Sequence, residues 1–199
     1  MFSPASGYRE MSIARTHHRF SLADYEQMID QGILTENDRV ELIRGEIIEK
    51  MSIGELHAAC VKRLNRIFNV RLVGKACVGV QDPVRLGNSE PEPDVTLLTP
   101  RADDYADAHP EAEDILLVVV VADSSLEFDR VVKREIYSEN GVAEFWILNL
   151  FDRTLEVYRR PQADGSYQGV RVLSATETTD IVRLPGEEFA VGDFFPPVG

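Results

Sequence analysis

Residues 115–150 read ILLVVVVADSSLEFDRVVKREIYSENGVAEFWILNL, and this stretch decides the fold class. Ile115 to Ala122 is an unbroken run of eight apolar residues, the pattern of a strand covered on both faces of a sheet. A bilayer-spanning helix needs about 20 such residues, so the run predicts a central strand and excludes a membrane segment. Ser124 or Ser125 then offers a hydroxyl to cap a helix over about Glu127 to Glu139, which Asn140 and Gly141 stop. AEFWILNL follows as a second strand. Strand, helix and strand in succession imply a crossover that sets the two strands parallel.

Working outward, Ala76 to Leu86 and Asp94 to Thr99 read as two further strands, and an acidic loop, Pro100 to Asp114, leads from them to Ile115. Ahead of them, Ser52 and Glu55 make the S-x-x-E pattern of a capping box. Leu56, Ala59, Cys60, Leu64, Ile67 and Phe68 then recur at helical spacing to about Leu72. RVELIRGEIIEKM predicts a β-hairpin turning near Arg44-Gly45. SLADYEQMIDQG predicts a short helix with Leu22, Tyr25, Met28 and Ile29 on one face and its stop at Gly32. Downstream, TLEVYRR, a turn at Asp164-Gly165, SYQGVRVL and IVRLPG predict antiparallel strands. The sum is an α/β chain with a mixed central sheet flanked by helices, ordered α-β-β-β-α-β at its centre. One domain is expected over 1–199, with an N-terminal arm over 1–19, a core over about 20–158 and C-terminal strands over 159–199.

The 199 residues carry 34 acids against 21 bases, a net charge of −13 that argues against a general nucleic-acid coat protein. The charge is uneven. Gly87 to Asp129 holds twelve acids and one base, Arg101, whereas Glu55 to Lys75 holds five bases and one acid, which leaves a local phosphate-facing surface open. Cys60 and Cys77 lack the spacing of a zinc site or disulfide framework and read as small core residues. The opening MFSPASGYRE has no apolar signal segment, from which a cytoplasmic location is expected. No HExxH, GxSxG, GxGxxG or P-loop pattern is present, which disfavours zincin, α/β-hydrolase and nucleotide-cofactor chemistry. Of the histidines, His17 and His18 are neighbours, His57 sits near the start of the first long helix, and His109 lies in the acidic loop.

Three places could carry chemistry, and each has a plainer reading. Asp94 opens a strand directly after Pro91-Glu92-Pro93, where an aspartate is most often a turn former. Glu41, in an alternating strand, would face water. Asp129, Lys133 and Tyr137 share an i, i+4 face, on which Asp129 and Lys133 would form a surface pair worth roughly a few tenths of a kcal/mol.

The succession RVELIRGEIIEKMSIGELHAACVKRLN, VQDPVRLGNSEPEPDVTLLTP and LLVVVVADSSLEFDRVVKREIYSENGVAEFWILNL resembles the Uma-two family of restriction-endonuclease-like proteins, over roughly Phe20 to Tyr158. That family belongs to the PD-(D/E)XK nuclease superfamily, whose α-β-β-β-α-β core is the order already read from periodicity. The resemblance implies an endonuclease site dependent on Mg²⁺, with Mn²⁺ as a substitute, that hydrolyses nucleic-acid phosphodiesters. Carboxylate-held metal makes a water nucleophilic and relieves charge on the leaving oxygen. By the resemblance, Asp94 matches the aspartate of the PD motif and is the first metal ligand, and Glu41 matches an acidic position that completes the site. Lys133 matches the lysine of a DxxxK helix, displaced from the usual ExK strand, which orients the attacking water or steadies the pentavalent phosphate. One position departs from the pattern. The family's third strand reads approximately LVxEVADSSL, and LVVVVADSSL here puts Val120 where the glutamate belongs. A valine cannot bind Mg²⁺, although a central strand buried on both faces prefers it to a charge.

Two readings of that site stand, and a third lies outside it. In one, a nuclease-fold protein has lost catalysis and serves by binding nucleic acid or a partner. In another, a live Mg²⁺-dependent endonuclease uses Asp123 or Glu92 in place of the missing ligand. The third is a small acidic interaction protein with no nucleic-acid role. For the nuclease readings DNA is the expected partner, and a symmetric homodimer matching the two-fold symmetry of a duplex is expected. Asp94 is then expected beside Val120, with Glu41 and Lys133 nearby.

Overall fold

The computed structural model describes residues 17–35 and 37–197, and most of the arm read over 1–19 lies outside them. Ser21 and Asp24 cap α1 (Leu22–Asp30) reciprocally, and α1 buries Tyr25. β1 (Val40–Ile43) and β2 (Glu46–Glu49) pair as an antiparallel hairpin. Both turn residues are left-handed, Arg44 at φ 50° and Gly45 at φ 78°, which is the twist that a two-residue hairpin turn demands. A Cβ at position 45 would stand 2.9 Å from the Phe20 carbonyl oxygen, so the turn is closed to larger residues.

Helix α2 (Glu55–Arg71) lays Cys60, Val61, Leu64 and Phe68 on the sheet. Its N-cap is Gly54, with no side-chain capping bond. Ser52 and Glu55 therefore do not form the expected capping box, because Glu55 is already the first helical residue and Ser52 falls two positions short of the cap. The next strand, β3, is Cys77–Gly79, much shorter than Ala76 to Leu86. Gln81 turns left-handed at φ 57°, and Pro83 has no N–H with which to continue a ladder. β4 (Val95–Leu98) and β5 (Ile115–Ala122) follow, both fully buried. The second long helix is composite: α3 (Leu126–Phe128), a π-helical turn over Asp129–Lys133, and α4 (Arg134–Glu139). Ser125 occupies its N-cap without bonding the backbone; its Oγ donates to the Asp129 carboxylate at 2.7 Å instead.

β5 and β6 (Glu144–Asn149) are parallel, Val120 lying opposite Ile147. β7 (Thr154–Pro161) and β8 (Tyr167–Ser174) extend the sheet antiparallel, giving six strands in the order β3-β4-β5-β6-β7-β8. β9 (Thr178–Ile181) and β10 (Leu184–Ala190) make a separate hairpin. IVRLPG is thus the end of one strand, a turn and the start of the next. Alternation along β5 divides the core between the two faces of the sheet. Leu117, Val119 and Val121 pack with Leu64, Phe68 and Trp146, whereas Val118, Val120 and Ala122 pack with Ile136, Tyr137 and Phe145. Each such side chain contributes about 1.5–3 kcal/mol on burial, which is why the apolar run sits at the centre. Among the described residues no helix is long and apolar enough to cross a membrane.

Candidate functional site

A cavity of about 800 Å³ opens beside the carboxyl end of β5, walled in part by Glu41, His57, Asp94, Val120, Asp129 and Lys133. Antiparallel pairing brings Val95 opposite Val119, so Asp94, one residue earlier, arrives beside Val120. The Asp94 carboxylate is held from two sides. Oδ2 accepts the Val121 N–H at 2.7 Å, and Oδ1 stands 3.1 Å from His57 Nε2 and 3.5 Å from Gln81 Nε2.

Glu41 does not face water. It is buried, with Oε1 3.1 Å from Lys133 Nζ and Oε2 accepting the Glu92 N–H at 3.1 Å. The hairpin turns this face inward against the composite helix, and the opposite face is covered as well, with Leu42 fully buried. Lys133 and Asp129 are not a surface pair either: Asp129 is 3% exposed and the Lys133 side chain 12%. The two are the ends of the single π-helical turn, and both side chains enter the protein together. Burial works against the Lys133 ammonium, yet Glu41 and Asp129, with a smaller part from Asp94, outweigh it and hold its pKa above the ordinary lysine value. Burial pushes the Asp129 carboxyl up to about 6, against the opposing pull of Lys133 and the Ser125 hydrogen bond, with Asp94 and Glu41 adding to the rise. For His57, burial alone would lower the pKa, but the hydrogen bond and charge of Asp94, with Asp123 and Asp129, raise it.

The sequence reading assigned His57 and Gln81 no role. His57 carried one weak signal, a polar ring near the start of a helix whose inner face is apolar, and Gln81 carried none. Two polar atoms of the site have no partner: His57 Nδ1 and the Tyr137 hydroxyl are both buried without a hydrogen bond.

The residues present do not fit a carboxylate-built Mg²⁺ site. Both Glu41 oxygens are committed, to Lys133 and to the Glu92 amide, one Asp94 oxygen is committed to Val121, and Val120 offers none. Glu92 is ion-paired to Lys50, and Asp123 is exposed at the cavity edge. Among the described residues no three His, Cys, Asp or Glu side chains converge at metal-binding distances. The wall is nonetheless acidic, with seven carboxylates against three bases, Arg39, Lys50 and Lys133.

Comparison with known proteins gives a family and a fold. The family model described as "Uma2: Putative restriction endonuclease" matches residues 22–192. Among solved structures, the chain is similar to the crystal structure titled a putative nuclease belonging to DUF820 from Anabaena variabilis. The TM-score is 0.69 and the identity 16%, over 88% of this chain and 97% of that one. At that identity the likeness speaks for the fold alone. No curated protein matches the chain.

Proposed function

The chain belongs to the Uma2 family, and on that premise we propose that its cavity is a nuclease site facing a nucleic-acid phosphodiester, that of DNA, from which Mg²⁺-dependent cleavage has been lost with the glutamate at position 120. The observation that carries this reading is Val120 itself, whose side chain lines the cavity beside Asp94 where the family pattern has its ligand. The fold reading goes with it: a single restriction-endonuclease-like domain, α2-β3-β4-β5-helix-β6 at its core, working as a homodimer on a two-fold target.

The chain's own groups retain part of the chemistry. Lys133, charged and held by Glu41, is a fixed cation on the cavity wall that can meet a phosphate oxygen. Asp94 keeps one carboxylate oxygen turned toward His57 and Gln81. The surrounding carboxylates repel a phosphate by themselves, so a phosphodiester enters this cavity only with a cation beside it. Replacement of the missing ligand by Glu92 or Asp123 has less support, since Glu92 is engaged with Lys50 and Asp123 stands out at the edge.

Restoring the ligand tests the reading. Val120→Glu places a carboxylate among buried groups, so the metal-free variant melts below the parent. Mg²⁺ then recovers stability by linkage, about 2.7 kcal/mol at a hundredfold excess over Kd. Thermal melts with and without Mg²⁺, alongside plasmid nicking, read both effects. Mg²⁺-dependent nicking by the parent overturns the proposal, as does a folded variant with no metal-dependent shift and no nicking.

A further inference from the structure

Phe151 is 89% exposed, more than any other large apolar side chain among the described residues. A solitary exposed apolar residue is ordinary, but this one stands on a fixed support. It belongs to the turn that joins β6 to β7, and the buried Asn149 side chain holds that turn. Asn149 Oδ1 accepts the Phe151 and Asp152 N–H groups at 3.0 and 3.2 Å, and its Nδ2 donates to Asp152 Oδ2 at 3.0 Å. The Leu150 N–H donates to the Ala122 carbonyl at 3.0 Å, which ties the turn to the last residue of β5, next to Asp123 on the cavity edge. The ring is therefore displayed at the end of the sheet where the cavity opens.

Beside the turn stands the basic part of an otherwise acidic chain. Arg153 Nη2 donates to the Pro196 carbonyl at 3.1 Å and Arg63 Nε to the Asp193 carbonyl at 2.9 Å, so both guanidinium groups are fixed on one short segment after β10. Burial pushes the Cys60 thiol up, and Arg153 and Arg63 both pull it back, in keeping with that convergence. Lys62 and Arg66 are exposed on the adjoining face of α2, about 6 Å apart along its axis. Further along α2, Arg71 and Lys75 are taken by Glu187, but among the described residues none of Lys62, Arg63, Arg66 and Arg153 is ion-paired to a carboxylate. Asp152 is engaged by Asn149, and the exposed Asp193 offsets part of the charge beside Arg66. Fixed cations beside an exposed aromatic ring are the two parts from which single-strand binding surfaces are made, the cations tracking phosphates and the ring stacking on a base. A duplex presents such a ring with a base face only after a step is unstacked, at an energetic cost that one ring on a chain of net charge −13 does not offset.

We propose that Phe151 is a stacking platform for an unpaired base of single-stranded DNA, whose phosphates lie along Arg153, Arg63, Lys62 and Arg66. The inference rests on the functional reading only for DNA as the partner. It requires neither metal nor cleavage, and none of these five residues belongs to the cavity wall.

Fluorescence anisotropy of a labelled oligothymidylate, titrated with the full chain in EDTA at low salt, reads binding without cleavage. Phe151→Ala is expected to weaken binding by about tenfold or more, whereas Phe151→Trp, which keeps a π-face, binds at least as tightly as the parent. Both variants are expected to melt with the parent, because the ring is exposed. Lys62→Ala is expected to lower the slope of log K against log salt by about 0.7. A parent that does not bind the oligonucleotide, or parental affinity in Phe151→Ala or in the apolar but non-aromatic Phe151→Leu, overturns the proposal. Equal weakening on a fully paired duplex also overturns it, since the residue is then a wedge, as does light scattering in which Phe151→Ala loses only self-association. Plasmid nicking and the Mg²⁺ response of Val120→Glu are read separately, so the failure of that reading is distinguishable from the failure of this one.

Discussion

Two clusters of buried charge lie at opposite ends of the parallel pair β5–β6, and they are built differently. At the amino end of β6, Glu144 is fully buried and completely bonded. Oε1 accepts from Trp146 Nε1 at 2.7 Å and Arg159 Nε at 2.8 Å, while Oε2 accepts the Val182 N–H at 2.7 Å. At the carboxyl end of β5, Glu41, Asp94, Asp129 and Lys133 wall a cavity, and His57 Nδ1 and the Tyr137 hydroxyl are left without partners. A closed network ties the β9–β10 connection to the sheet and leaves nothing free to bind. An open one with orphaned groups keeps polar atoms available at a cost in stability, as functional sites do. The comparison separates a closed network from an open one more clearly than burial does, because Glu41 and Asp129 are nearly as buried as Glu144.

Replacing the buried carboxylate at each end, Glu144 or Asp129, is expected to shift stability in opposite directions. The largest effect falls on the closed network. Glu144→Ala strands Arg159, Trp146 Nε1 and the Val182 amide together, and urea denaturation is expected to show a loss of about 3–5 kcal/mol. A loss below about 1 kcal/mol would erase the distinction between the clusters.

Asp129→Asn is expected to stabilise the protein. The folded state raises the Asp129 pKa from 3.8 to about 6, so the folded chain binds that proton more tightly than the unfolded chain. The contribution of Asp129 is therefore most favourable below about pH 4, declines as pH rises through 6, and is a penalty of up to about 3 kcal/mol at neutral pH. The asparagine variant lacks this titration, so stability plotted against pH should diverge from the parent between 4 and 6, with the variant higher above that window. Coincident curves would place Asp129 with the structural carboxylates.

The smallest effect sharpens the same point. Ser125→Ala removes the 2.7 Å bond to Asp129, costing about 1 kcal/mol and raising the Asp129 pKa further. The pH-dependent decline, which starts at the unfolded pKa in both proteins, then continues to higher pH than in the parent, which denaturation at several pH values would detect. An unmoved midpoint would mean that Ser125 acts only through helix geometry.

Much of this architecture is legible in the residues themselves. The run Ile115–Ala122 has one low-energy environment, between two apolar layers, and Asn140-Gly141 ends the helix that returns the chain for β6. The turn at Arg44-Gly45 and the 3.6-residue rhythm of α2 are equally local, and they formed as read. The departures occurred where local preference competed with another contact: Ser125 bonds Asp129 in preference to the helix backbone, and β3 ends early at a left-handed Gln81.

What the sequence determined by itself is the succession of elements, because hydrophobic period, caps and turn residues act over a few neighbours and need no distant partner. Placement of Asp94 next to Val120 follows almost as directly, once two apolar strands must pair. The environment of each charge was decided only in three dimensions. Alternation alone assigns Glu41 to solvent, and it is buried because the β1–β2 hairpin brings it against Lys133. His57 and Gln81 reach Asp94 from α2 and from the loop after β3. Desolvation and Coulomb interaction depend on distance in space and not on separation along the chain, so no pattern in the sequence could announce that these side chains share one carboxylate.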